Sequence, residues 1–113
     1  MVINGVELQD LDIFDADVAE KYEAALQEVS KSSNTNSNVT GSEVIRNQCT
    51  VIFKCFNTLF GEGTDKKIFG DKVNILTTLK AFEELIDQTN QQASELKKMQ
   101  SKYSKDRIKR SKR

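Results

Sequence analysis

Residues capable of chemistry are few in this chain, and their spacing is poor for it. There is no histidine among the 113 residues. Cys49 and Cys55 are the only thiols, six positions apart. On one helix that separation is nearly two turns, too far for a bridge between them. Nucleophilic catalysis at either would need a neighbouring base, and no imidazole exists to serve. The same two residues read more simply as small apolar core residues with free thiols. Glu83 and Glu84 are adjacent, so on a helix their carboxylates diverge and read as a solvated face. The acids have no metal-ligand spacing, and no CxxC or calcium-loop pattern occurs. Gly61–Lys67, GEGTDKK, looks like a phosphate loop only superficially. It lacks the GxxxxGK[ST] spacing and a preceding strand. No catalytic, cofactor or metal site is expected, and the chain is not read as an enzyme.

What must position anything else is a helical scaffold. The sequence has no proline, five glycines and 30% charged residues. Without proline nothing forces a long helix to break. The expected fold is mainly α: one three-helix domain over residues 1–100, with a short N-terminal β-hairpin or strand, a long C-terminal helix and a basic tail at 101–113. Asn4-Gly5 lies between Val2-Ile3 and Val6, which is the preferred two-residue hairpin turn within residues 1–8. A first helix is expected over 16–32, started by Asp17 with Glu20. Val18, Tyr22, Ala25, Leu26 and Val29 form its apolar stripe. The Ser/Asn run from Ser30 to Asn38 reads as a loop.

A second helix is expected over 42–60, capped by Thr40 with Glu43 or by Ser42, and stopped by Gly61. Its apolar positions cover well over half its circumference. Such a helix is central in the fold or also buried against a partner. The connector from Gly61 to Asp71 carries Ile68 and Phe69, so it should pack down. A third helix is expected over 71–103, with Asp71 as its cap. Leu76, Leu79, Phe82, Leu85 and Ile86 form its strong half and are assigned to the core; the second half projects, or rests on something else.

The net formal charge of zero hides an asymmetry. Residues 1–31 carry eight acids and two lysines, while residues 97–113 carry nine bases and one acid. That polarity favours head-to-tail attraction between copies, or a basic tail reaching an acidic partner. No apolar run approaches the roughly 20 residues needed to span a bilayer. The first residues show no secretory-signal pattern, so a reducing cytoplasm is expected. Nucleic-acid binding by the basic tail is the main rival to protein binding. Against it stand the acidic front, and bases without interleaved aromatics beyond Tyr103. The remaining resource is apolar surface. Phe53, Phe56, Phe60, Ile68, Phe69 and Phe82 are the expected client-facing or subunit-facing residues, chosen on periodicity alone.

The opening VINGVEL, the acidic DLDIFDADVAEKYE segment and the CTVIFKCFNTLFGEGTDKKIFGDKVN block, followed by a long helix, resemble the small tail-assembly chaperones of long-tailed phages and prophages of Gram-positive bacteria. The likeness covers nearly the whole chain and is most specific over Phe53–Asn74. It implies a mainly helical protein of the host cytoplasm, absent from the mature virion. The implied client is the tape-measure protein, kept soluble until tail-tube subunits polymerise around it. Self-association into spiral oligomers is implied too, as is a frameshifted longer product in many such genes. The resemblance brings no residue-level site. The alternative reading is a basic-tailed nucleic-acid-binding or regulatory phage protein.

Overall fold

A computed structural model describes residues 1–32 and 40–111. The chain opens with strands β1 (Val2–Ile3) and β2 (Val6–Glu7). They pair antiparallel, Val2 opposite Glu7 and Ile3 opposite Val6. Asn4 and Gly5 both take positive φ, 51° and 75°. Two consecutive left-handed residues match the right-handed twist of a tight hairpin, and Asn-Gly is the pair that tolerates them best. Helix α1 (Ala16–Ser32) follows, over the expected span. Its cap is Asp15, two residues before the expected Asp17: the Asp15 carboxylate accepts from Asp17 N at 2.9 Å and Val18 N at 3.4 Å. Residues 33–39, most of the expected Ser/Asn loop, lie outside the described residues.

Helix α2 (Gly41–Phe60) is capped as expected, Thr40 Oγ1 accepting from Glu43 N at 3.3 Å. It ends at Gly61, with φ 111° and its N–H on Asn57 O at 2.9 Å. The connector then holds a short helix that the sequence pattern does not predict, α3 (Thr64–Phe69). Two side chains make this turn. Thr64 Oγ1 donates to Gly61 O at 2.6 Å, and Asn57 Oδ1 reaches from α2 to accept from Asp65 N at 3.0 Å. Six residues carry too little periodicity to announce a helix. The described residues therefore form four helices rather than three, still mainly α with a short N-terminal hairpin.

Helix α4 (Ile75–Ser111) has 37 residues, about 55 Å at 1.5 Å per residue. It starts later than expected. Asn74 caps it, accepting from Thr77 N at 3.1 Å, while Asp71 lies outside and pairs with Lys66 at 3.3 Å. It also runs beyond residue 103 into the segment read as a tail. Lysine and arginine are good helix formers, and positive charge is favoured at a helix C-terminus. The expected basic tail is thus helix as far as Ser111. Residues 112–113 lie outside the described residues.

The core gathers Ile3, Leu8, Leu11, Ala25, Ile52, Cys55, Phe56, Ile68, Ala81 and Leu85. Helix α2 is central, touching α1, α3 and α4. Three neighbours absorb most of its apolar circumference. Ring contacts lock the corner: Phe69 sits 4.8 Å from Phe53 and 5.9 Å from Phe56, centroid to centroid.

Candidate protein-interaction surface

Of the six apolar residues chosen from periodicity, two are enclosed. Phe56 is 0% exposed and Ile68 5%. In this conformation neither can face a client or a second copy, and both belong to the chain's own core. The reason is α3, which folds Ile68 and Phe69 back onto α2. Phe53, Phe60, Phe69 and Phe82 are half-buried. They border the core and do not stand free.

The exposed apolar side chains lie elsewhere, mostly on α4. Leu76 is 61% exposed and Leu79 45%, with Val73 beside them at 39%. This corrects the assignment of Leu76 and Leu79 to the core. Helix α4 buries another face, formed by Thr78, Ala81, Leu85 and Thr89. Those residues recur at steps of three and four, one stripe of a helix. Small and hydroxyl side chains let neighbouring backbone come close. The hydroxyls are satisfied locally: Thr78 Oγ1 donates to Asn74 O at 2.8 Å and Thr89 Oγ1 to Ile86 O at 2.9 Å. Tyr22 OH of α1 then donates to Thr89 Oγ1 at 2.7 Å. No buried side-chain polar atom among the described residues lacks a partner. Leu76 and Leu79 are thus left in water, while Phe82 and Ile86 are half-buried and Leu85 is enclosed.

A second exposed pair follows. Leu96 (40%) and Met99 (61%) continue the buried stripe of α4 beyond the end of the packed body. Phe14, 51% exposed, and Val2, 48%, stand out from the N-terminal segment.

A polar row on α4 holds that segment down. Glu84 Oε1 accepts from Asn4 N at 3.1 Å, Gln88 Nε2 donates to Val2 O at 2.9 Å, and Gln92 Oε1 accepts from Ile13 N at 3.3 Å. The three residues are spaced by four, one inclined ridge of the helix. Asn4 Nδ2 adds a bond to Ile68 O at 2.9 Å. Glu84 is thus a ligand for backbone and not a merely solvated carboxylate. Its i+4, i+8 relation to two glutamines is the available signal.

The chemistry of the remaining groups is quiet. Burial pushes the Cys55 thiol up to about 11. A thiol so raised is protonated and unreactive near neutrality. Cys49 is also buried and free. Burial likewise raises the Tyr22 phenol, against the opposing effect of its bond to Thr89. Among the described residues no group of three or more His, Cys, Asp or Glu could hold a metal ion. No helix of the described residues is long and apolar enough to cross a membrane. Grooves among the described residues include one beside the N-terminal segment and one between α1 and α2. The first, about 440 Å³, lies between the N-terminal segment and α4, lined by Asp10, Asp12, Gln91 and Glu95 among others. Its lining also includes Met1, whose terminal ammonium donates to Asp10 Oδ1 at 2.7 Å. The other, about 320 Å³, lies between α1 and α2 around Ala25, Glu28, Lys54 and Cys55. There the thiol keeps its proton, so no activated nucleophile results.

No curated protein and no solved structure matches the chain. One family model does match, over residues 4–113, and it is described as a family of unknown function, DUF6673. With a match running from Asn4 to the last residue, the chain belongs to the DUF6673 family.

Proposed function

We propose that the protein is a tail-assembly chaperone of a long-tailed phage or prophage, a binding protein and not an enzyme. Its client is the tape-measure protein, which it keeps soluble in the host cytoplasm during tail morphogenesis and leaves before the virion is complete. The observation that supports this reading most is the exposed Val73–Leu76–Leu79 surface at the start of α4. Large apolar side chains held in water on a rigid helix favour an apolar helical partner. The half-buried Phe82, three residues after Leu79, extends the same helix face inward. The family-like Phe-rich block and glycine-punctuated corner point the same way.

Co-expression tests the proposal. The tape-measure protein should stay in the soluble fraction with the parent chain and co-purify with it. Replacing Leu76 and Leu79 by glutamate should abolish both effects while leaving the fold intact. A tape-measure protein that remains insoluble with the parent chain present would refute the assignment. One observation favours the nucleic-acid alternative: the basic run continues as helix to Ser111. It predicts duplex or single-strand binding that weakens steeply with salt. Such binding, without any effect on the tape-measure protein, would select that reading instead.

A further inference from the structure

Helix α3 packs almost wholly on one neighbour, α2. Its underside carries Thr64 and Ile68, both buried, and Phe69, whose ring lies against Phe53 and Phe56. Six residues make a helix that is marginal by itself. Both ends turn at glycines with left-handed backbone, Gly63 at φ 90° and Gly70 at φ 65°. Gly63 has no side chain to cap the first turn, and Asn57 of α2 supplies the acceptor for Asp65 N. At the other end the carbonyl of Ile68 is one of the orphans that every helix C-terminus leaves. Lys72 N goes to Phe69 O at 3.4 Å, and Asn4 Nδ2 donates to Ile68 O at 2.9 Å. Asn4 also has left-handed backbone, φ 51°, and its N–H is held by Glu84 of α4 at 3.1 Å. One residue thus makes the hairpin turn, ties it to α4 and caps α3 from outside.

We infer that α3 is a flap hinged at its flanking glycines, and that Asn4 is its latch. Glycine at both ends absorbs backbone rotation that a side chain would resist. Opening lifts Ile68 and Phe69 from α2 as one local unit while α1, α2 and α4 stay packed. It uncovers the sides of Phe53 and Phe56 that Phe69 covers. The moving segment runs directly into Val73 and Leu76, so opening adds aromatic rings to the exposed apolar face. That use of the flap rests on the client reading above; the hinge and the latch do not.

Amide hydrogen exchange on the full chain, without any client, tests both parts. The bonded amides of Lys67 and Gly70 report α3, those of Ile52 and Phe56 report α2, and that of Leu8, which closes the hairpin on Met1 O, reports the hairpin. In the parent, the α3 amides should exchange at least about tenfold faster than the α2 amides, because they open locally. Asn4→Gly keeps a residue suited to positive φ and removes the side-chain donor. The ratio of α3 to α2 exchange should then rise about three- to tenfold, the scale of one hydrogen bond, with Leu8 unchanged relative to α2. Asn4→Asp tolerates the same backbone and offers no donor, so it should raise the ratio at least as much. The inference is overturned by α3 amides that exchange at the α2 rate in the parent, or by an unchanged ratio in both variants. It is also overturned by acceleration at α3 matched at Leu8, which would make Asn4 a turn residue alone. Recovery of soluble tape-measure protein is measured separately, so failure of the latch and failure of the client assignment are distinguishable.

Discussion

At the scale of single residues, the chain separates side chains that hold the fold from those that face water, and the two sets should behave oppositely on mutation. Phe56 and Leu85 are fully enclosed. Phe56→Ala should cost about 3–5 kcal/mol and Leu85→Ala about 2–5 kcal/mol of unfolding free energy. Leu76→Ala and Leu79→Ala should each stay within about 0.5 kcal/mol of the parent. Equilibrium urea unfolding measures all four. Cys55 gives a pH dependence of defined sign. Its thiol titrates near 11 in the fold, against 9.0 for the ordinary group. The folded state therefore holds the proton more tightly than the unfolded state. The associated stability is complete below about pH 9 and is lost as pH rises through about 11. Tyr22, raised in the same direction, adds to the alkaline loss. A urea midpoint that falls across that alkaline range, and falls less in Cys55→Ala, is the expected result. A thiol reagent at neutral pH should label neither cysteine until the protein unfolds.

At the scale of elements, the hairpin is held by α4 and not by its own four paired residues, since a lone hairpin of that length is marginal. Replacing Glu84 and Gln88 by alanine removes the bonds to Asn4 N and Val2 O. Amide exchange at residues 3–8 should accelerate while the α4 amides stay protected. Equal protection before and after would mean that side-chain burial of Ile3, not the polar row, fixes the hairpin. The elements also show what is legible in the chain. Asn4-Gly5, Thr40 and Gly61 announce their turn and caps because each of those jobs suits few residue types. Helix α3 is hidden, since its stability comes from Asn57 reaching across from α2. Periodicity misplaces the buried face of α4 by about one position. It follows the largest apolar residues, whereas close packing selects Thr78, Ala81 and Thr89. The six residues expected at partner contacts share that bias towards large rings, and the corner made by α3 draws Phe56 and Ile68 inside.

At the scale of the whole molecule, the body is elongated, with principal extents of 65 × 33 × 22 Å. Its long axis is set by α4, whose front half presents one apolar face to water and whose rear half carries the continuation of the core stripe. A chain of this size can bury only part of its apolar surface. Of the large apolar side chains left exposed, Leu76, Leu79, Leu96 and Met99 stand on α4, and Val2, Phe14 and Val73 lie outside it. No metal-binding cluster accompanies them among the described residues, and the Cys55 thiol stays protonated. The proposed function centres on Leu76 and Leu79 because they are the large apolar side chains exposed on the front half of α4.

The most direct test is the amount of soluble tape-measure protein recovered on co-expression with the parent chain and with the Leu76→Glu, Leu79→Glu variant, each first shown to have the same helicity and urea midpoint. Soluble complex with the parent and aggregated client with the variant is the expected result. Equal recovery of soluble client with both proteins would contradict it.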